Sequence, residues 1–194
     1  MKAKAIVFEA PLSLQVRELE LAPMGPLDIE VAVQFSGIST GTERLLWEGT
    51  MPPFPGLAYP LVPGYETVGT VSAMGADVST VAIGDTVFLP GSYAFQGVQN
   101  IFGGAGERLV VPSERAVKLN PSLGVNGILL ALAATAHHVF TSGPSSDRLS
   151  YPDLIVGHGI MGRLLARLVI AAGQPAPTVW ETQGVRRAGG VGYT

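Results

Sequence analysis

The hexapeptide Gly157-His158-Gly159-Ile160-Met161-Gly162 has the spacing G-x-G-x-x-G, and its surroundings give that spacing chemical meaning. The apolar run at residues 153–156 leads into it, and a run rich in Ala and Leu leaves it. In that order the first glycine makes the turn from strand to helix, the second lets a diphosphate approach the backbone, and the third lets helix and strand pack closely. The N–H groups at the helix start would hold the diphosphate. Glu181 ends the next predicted strand, 24 residues after Gly157, where a carboxylate takes the hydroxyls of an adenosine ribose. A carboxylate there repels a 2′-phosphate, so NAD is favoured over NADP, and Arg186 and Arg187 just beyond weaken that preference. The same glycines would also suit a turn that only packs a helix on a sheet. His158 reads as a plain loop residue. The adjacent His137 and His138 cannot share a helix face, which speaks against a two-histidine metal site.

A second group lies in the first third of the chain. The stretch "SGISTGTERLLWEGTMPPFPG", residues 36–56, and the residues just after it supply Leu45, Leu46, Trp47, Met51, Phe54, Leu57 and Tyr59. This apolar and aromatic set is unlike the polar surface of an idle connection, and rings of this kind stack on flat ligands. Residues 51–63 hold five prolines, each removing a backbone donor and fixing φ, so an irregular loop is expected. Long ordered loops are more often functional than not. The aromatic set would equally pin such a loop to the body of a domain.

The elements that must position these residues change character near Asn120. Before it, glycines and prolines separate short β-type runs at 5–8, 29–35, 67–72, 86–89 and 108–111, which predicts a compact all-β barrel or sandwich. After it, residues 127–140 read as a buried helix, residues 142–152 as a polar connector, and strand, helix and strand follow up to Glu181. The tail from Thr182 is polar and without periodicity. At 194 residues the chain has room for two units. Charged residues are only 14%, against roughly 25% in ordinary soluble proteins, which leaves room for a homodimer partner, an apolar ligand or further chain. A net charge of −3 without any Lys or Arg block gives no footprint for nucleic acid or anionic lipid. The absence of cysteine excludes disulfides and thiolate zinc sites and fits a cytoplasmic location. The apolar runs 128–136 and 168–172 fall well short of the roughly 20 residues of a transmembrane segment, so none is expected.

With "GYETVGTVSAMG" at 64–75 and "IGDTVF" at 83–88, the chain resembles the medium-chain dehydrogenase/reductase superfamily. The stretches "SGISTGTERLLWEGTMPPFPGLAYPLVPGYE", "LALAATAHH", "DLIVGHGIMGRLLAR" and "PTVWET" are similar to its bacteriochlorophyll-pathway branch. The resemblance implies an α/β protein with a β-rich N-terminal half: a GroES-like β-barrel domain over 1–125 and an incomplete Rossmann (βαβ) dinucleotide-binding domain over 126–194. It implies oxidation of a 3-(1-hydroxyethyl) group on a bacteriochlorophyllide or chlorophyllide precursor to acetyl, dependent on the NAD that the glycine turn suggests; the flat tetrapyrrole would stack on Trp47 or Phe54 of the aromatic set, with Met51 and Tyr59 as further substrate-binding candidates. Zinc-dependent members carry a cysteine at the position of Ser39 and a histidine at that of Tyr65, and the third ligand position falls near Ala131. Hydroxyl and phenol are poor zinc ligands beside thiolate and imidazole, so a zinc-free member is expected.

Without zinc, a side chain must take the proton of the alcohol. Tyr65 leads by position, although its ordinary pKa near 10 is a difficulty. Glu66, or the pair Thr42 and Glu43, would serve instead, and the residues leave these alternatives open. A complete nucleotide domain of this type has about six parallel strands and two are foreseen here, which reads as a truncated dehydrogenase or a naturally short ligand-binding relative. A zinc-free quinone or enone reductase and a non-catalytic pigment-binding module are the competing functions.

Overall fold

The computed structural model describes residues 1–141, 149–187, 189–190 and 192–193, so most of the expected connector at 142–152 lies outside the described residues. The chain divides into two compact units, Met1–Leu129 and Leu130–Thr194.

The first unit is β-rich. Strands β1 (Lys2–Ala10) and β2 (Ser13–Glu20) form an antiparallel hairpin, followed by β3 (Asp28–Ser36), helix α1 (Thr42–Glu48), β4 (Leu61–Val62), β5 (Thr67–Met74), β6 (Thr86–Leu89), β7 (Gln99–Asn100), β8 (Arg108–Pro112) and β9 (Val117–Lys118). They build two sheets, one ordered β2-β1-β4-β7 and one ordered β8-β3-β5-β6-β9. Successive side chains of a strand point to opposite faces, so one face of each strand can supply a shared core. Ala3, Ala5 and Val7 of β1, Ile29 and Val31 of β3, Val71 of β5, Val87 and Leu89 of β6 and Leu109 of β8 are buried together. A smaller cluster of Phe8, Leu46, Leu61 and Ile101 sits under α1 and the proline-rich loop.

Each of the five expected strands is present, lengthened at one or both ends except at β6. Strand β2 was not foreseen, because its sequence SLQVRELE buries only Leu19. Helix α1 stands where the sequence suggests continuous loop. Seven residues are too few to show a period, and Gly49 ends the helix at φ 70° with its N–H bonded to the Leu46 carbonyl. Burial of Leu46 holds so short a helix in place.

In the second unit, β10 (Leu154–Val156) and β11 (Thr178–Trp180) pair in parallel, with Leu154 opposite Thr178 and Val156 opposite Trp180. Helix α3 (Ile160–Ala171) joins them, after α2 (Leu130–Thr141) and before the short α4 (Gly184–Arg187). Ile155, Ala166 and Tyr193 form the buried centre. Helix α2 departs from the buried helix expected of its composition: only Ala136 and Phe140 are buried. One described stretch, Pro121–Thr141, is long and apolar enough to cross a membrane by composition, which run lengths alone did not suggest. It is not one regular helix, since its first part is 3-10 and breaks at Gly124, with φ 50° and ψ −132°.

Candidate active site

A cavity of about 660 Å³ opens within the first unit. Its apolar lining comes mainly from two sources, with Pro63 and Ala105 beside them. The β1–β2 hairpin presents Ile6, Phe8, Leu14 and Val16, and the segment after β3 with α1 presents Ile38 and Trp47. The hairpin contribution follows from register. Phe8 lies opposite Leu14 and Ile6 opposite Val16, so all four share the face of the sheet turned away from Ala5 and Val7. Trp47 meets Phe8 edge to face, with ring centroids 5.6 Å apart. The polar residues in the lining are Lys4, Ser36, Ser39, Thr40, Glu43, Arg44 and Glu107.

The side chains singled out for proton transfer gather at the start of α1. The Ser39 hydroxyl accepts the N–H groups of Gly41 (3.3 Å) and Thr42 (3.2 Å), so it stabilises the entry to the helix. The Ser39 N–H in turn donates to Glu43 Oε2 at 3.0 Å. Glu43 and Glu66 are each only 4% exposed, and one carboxylate oxygen of each, Oε1, has no hydrogen-bond partner among the described residues. Removal from water pushes the Glu43 carboxyl above its ordinary range; hydrogen bonds from backbone N–H groups partly offset this, and the charge of Glu66 adds to it. Burial also raises Glu66. Glu66 lies against Gly37, where a Cβ would meet its Oε2 at 2.3 Å, so only glycine permits that approach. The Tyr65 hydroxyl donates to Thr42 Oγ1 at 3.4 Å, and its ring packs edge to face on Phe102. Of this group, Ser39 and Glu43 border the cavity, whereas Thr42, Tyr65 and Glu66 stand behind it.

The aromatic candidates separate. Trp47 lines the cavity. Met51 and Tyr59 pack instead against the cluster of Phe8, Leu46, Leu61 and Ile101, where the Tyr59 hydroxyl donates to the Leu46 carbonyl. Phe54 is exposed, outside the cavity lining. Sequence reasoning missed Lys4, Ile6, Leu14 and Val16. The signal was present as alternation on both faces of "KAKAIVFEAPLSLQV", but an apolar outer face looks like more core until the sheet is assembled.

In the second unit the glycine turn has the geometry a diphosphate needs. Gly157 has φ 101°, in the left-handed region. A Cβ on Gly162 would meet the Gly157 carbonyl oxygen at 2.0 Å, which is the close helix-to-turn approach assigned to the third glycine. Beside Gly159, at the N-cap of α3, the space within 4 Å of a would-be Cβ is open. The Glu181 carboxylate accepts the N–H of His158 at 2.8 Å and that of Gln183 at 2.8 Å, and these bonds hold its pKa below the usual carboxylate range. His158 is more than a loop residue: it is 3% exposed and its ring bonds to the Arg186 carbonyl and the Tyr193 hydroxyl. These residues fit a dinucleotide.

Zinc fits the chain less well. Among the described residues no group of three or more His, Cys, Asp or Glu side chains is arranged to hold a metal. At the positions of Ser39 and Tyr65 the hydroxyls are engaged with the start of α1.

A family model for the alcohol dehydrogenase GroES-like domain matches residues 25–121. The 2-desacetyl-2-hydroxyethyl bacteriochlorophyllide A dehydrogenase of Rhodobacter capsulatus is 48% identical over 194 residues, covering 100% of this chain and 60% of that protein. The protein of the same name from Cereibacter sphaeroides is 48% identical over 200 residues, with 100% and 61% covered. The chain thus spans about 60% of the length of the curated relatives it matches. Among solved structures, a protein from Sinorhizobium meliloti bound to NADP superposes with a TM-score of 0.74 at 26% identity, over 96% of this chain and 58% of that one. An Escherichia coli oxidoreductase/dehydrogenase of unknown specificity reaches 0.80 at 22% identity, over 97% and 60%, a likeness of fold.

Proposed function

The chain belongs to the alcohol dehydrogenase GroES-like family, within the medium-chain dehydrogenase/reductase superfamily, and from that premise we propose that it serves the zinc-free, NAD-dependent oxidation of the 3-(1-hydroxyethyl) group of a bacteriochlorophyllide to acetyl. The observation that carries this reading is an apolar cavity bordered by a buried carboxylate with an unpaired oxygen. The substrate class rests on the two 48% identical relatives.

Oxidation of a secondary alcohol removes a hydride from carbon and a proton from oxygen. NAD, when bound, supplies the hydride acceptor. The remaining tasks fall to side chains. Ile6, Val16 and Trp47 offer apolar surface for a flat macrocycle. Glu43 takes the hydroxyl proton, because it borders the cavity, has a free oxygen and is made more basic by burial and by Glu66. Ser39 positions Glu43 through its N–H, and Thr42 with Tyr65 forms a hydroxyl pair behind it. In the second unit the turn at Gly157 to Gly162 takes the diphosphate, and Glu181, kept ionised, disfavours a 2′-phosphate.

The test is incubation with the 3-(1-hydroxyethyl) pigment and NAD⁺ or NADP⁺, followed by absorption spectroscopy. A red-shifted acetyl product formed faster with NAD⁺, unchanged after chelator treatment and slowed by roughly 100-fold or more in Glu43→Gln is expected. No product with either nucleotide, or loss of activity on chelation that zinc restores, would refute it. A non-catalytic pigment-binding role is the second reading, favoured by a cavity that lies wholly within Met1–Leu129. It predicts pigment binding without nucleotide affinity.

A further inference from the structure

The outer face of the β1–β2 hairpin is an apolar row that ends in a charge. Phe8 pairs with Leu14, Ile6 with Val16 and Lys4 with Glu18, and Lys4 lines the same cavity as the four apolar residues. Val16 is 66% exposed and Leu14 47%, so this face is available to a ligand. The charges around Lys4 are nearly all engaged elsewhere. Glu18, its cross-strand neighbour, lies 3.5 Å from Lys2 Nζ. Glu107 accepts the backbone N–H of Lys4 at 3.0 Å, which leaves the ammonium untouched. Arg44, the other cation of the lining, is tied to Glu48 at 2.8 Å. Lys4 has no ion pair among the described residues and stands at the end of a strip of apolar surface. That combination suits a flat apolar body with one carboxylate on its edge.

We propose that Lys4 anchors the carboxylate of the bound macrocycle, and that the Ile6, Phe8, Leu14 and Val16 face is the platform on which the ring lies. The assignment rests on the bacteriochlorophyllide reading above, and it accounts for the free-acid form of that pigment: the side-chain carboxylate meets a lysine at the platform's end. An ammonium and a carboxylate at a partly exposed rim attract modestly and are screened by salt. The apolar platform therefore supplies most of the affinity, and Lys4 supplies the preference for acid over ester.

The experiment titrates the chain with bacteriochlorophyllide a and with its propionate methyl ester, following quenching of tryptophan fluorescence, at low and high ionic strength. Wild type is expected to bind the acid about five-fold more tightly than the ester at low salt, a preference of the size exposed ion pairs produce, and to lose the preference at high salt. Lys4→Met should bind both pigments as wild type binds the ester, and Lys4→Arg should restore the preference. Val16→Asn, which adds polarity without charge beside Lys4, should weaken both pigments alike. Lys4 and Val16 are exposed, so none of these variants disturbs the core. Retention of the acid preference in Lys4→Met overturns the anchor, and unchanged binding in Val16→Asn overturns the platform, with the pigment reading intact in both cases. Failure of wild type to bind either pigment overturns the inference together with the reading beneath it.

Discussion

Leu46→Ala tests whether the position of the candidate base depends on one buried side chain. Helix α1 has seven residues and an N-cap glycine that makes no side-chain cap bond, so it cannot persist on propensity. Leu46 is fully buried in the cluster with Phe8, Leu61 and Ile101, and it lies between Glu43 and the Trp47 that lines the cavity. Truncation to alanine removes three carbons, about 2.4 kcal/mol at about 0.8 kcal/mol per methylene, and leaves a cavity that adds to it. The expected loss is about 3–4 kcal/mol, a large share of the roughly 5–15 kcal/mol by which a domain is stable. Leu45 is the control, since it is one residue away and 37% exposed, and Leu45→Ala should cost under about 1 kcal/mol. The assay is urea unfolding followed by Trp47 fluorescence in a Trp180→Phe background, which leaves a single tryptophan in the first unit. With m near 1–3 kcal/mol/M, Leu46→Ala should lower the midpoint by roughly 1–4 M. Pigment binding should weaken in parallel. Equal midpoints for the two variants would refute the view that burial of Leu46 holds the helix.

The two glycines of the nucleotide turn should separate by mechanism. Gly162→Ala drives a Cβ into the Gly157 carbonyl and should destabilise the second unit by about 1–3 kcal/mol in thermal unfolding, whereas Gly159→Ala, with open space and φ −74° at the N-cap, should cost under about 1 kcal/mol and abolish NAD⁺ binding by calorimetry. The reverse pattern would sink the assignment of their roles. Glu66→Gln should show a stability gain over wild type that grows with pH. The folded-state pKa of Glu66 is raised by burial, so folded wild type holds its proton longer than the unfolded chain, and stability falls as pH rises from the ordinary Glu value through the raised one. The glutamine variant has no such proton to lose. A difference between the two proteins that stays constant across urea titrations from acid to mildly alkaline pH would show that Glu66 is not desolvated.

Much of the architecture was legible because it depends on local rules. The strands β3, β5, β6 and β8 sit on apolar runs between glycines and prolines, and the parallel pair β10 and β11 flanks a glycine turn whose three positions have the backbone reasons their spacing suggests. The short strands β4, β7 and β9 carry two residues each, too few for any pattern. Helix α1 escaped notice for the same reason, and with it the fact that Glu43 and Trp47 lie one helical turn apart on an ordered element.

The sequence by itself determined the chemistry on offer: no thiolate anywhere, hydroxyls at Ser39 and Tyr65, carboxylates at Glu43, Glu66 and Glu181, and a glycine turn for a dinucleotide. Tertiary structure decided which of these meet a ligand. Period-two alternation says which residues of a strand share a face, but where both faces are apolar it does not say which is core, and only the pairing of β1 with β2 turned Ile6, Phe8, Leu14 and Val16 towards the cavity. Long-range packing likewise drew Met51 and Tyr59 inward and buried Glu43 and Glu66 side by side in charge. Desolvation depends on everything that surrounds a group in space, and neighbours in space are what a linear sequence leaves unstated.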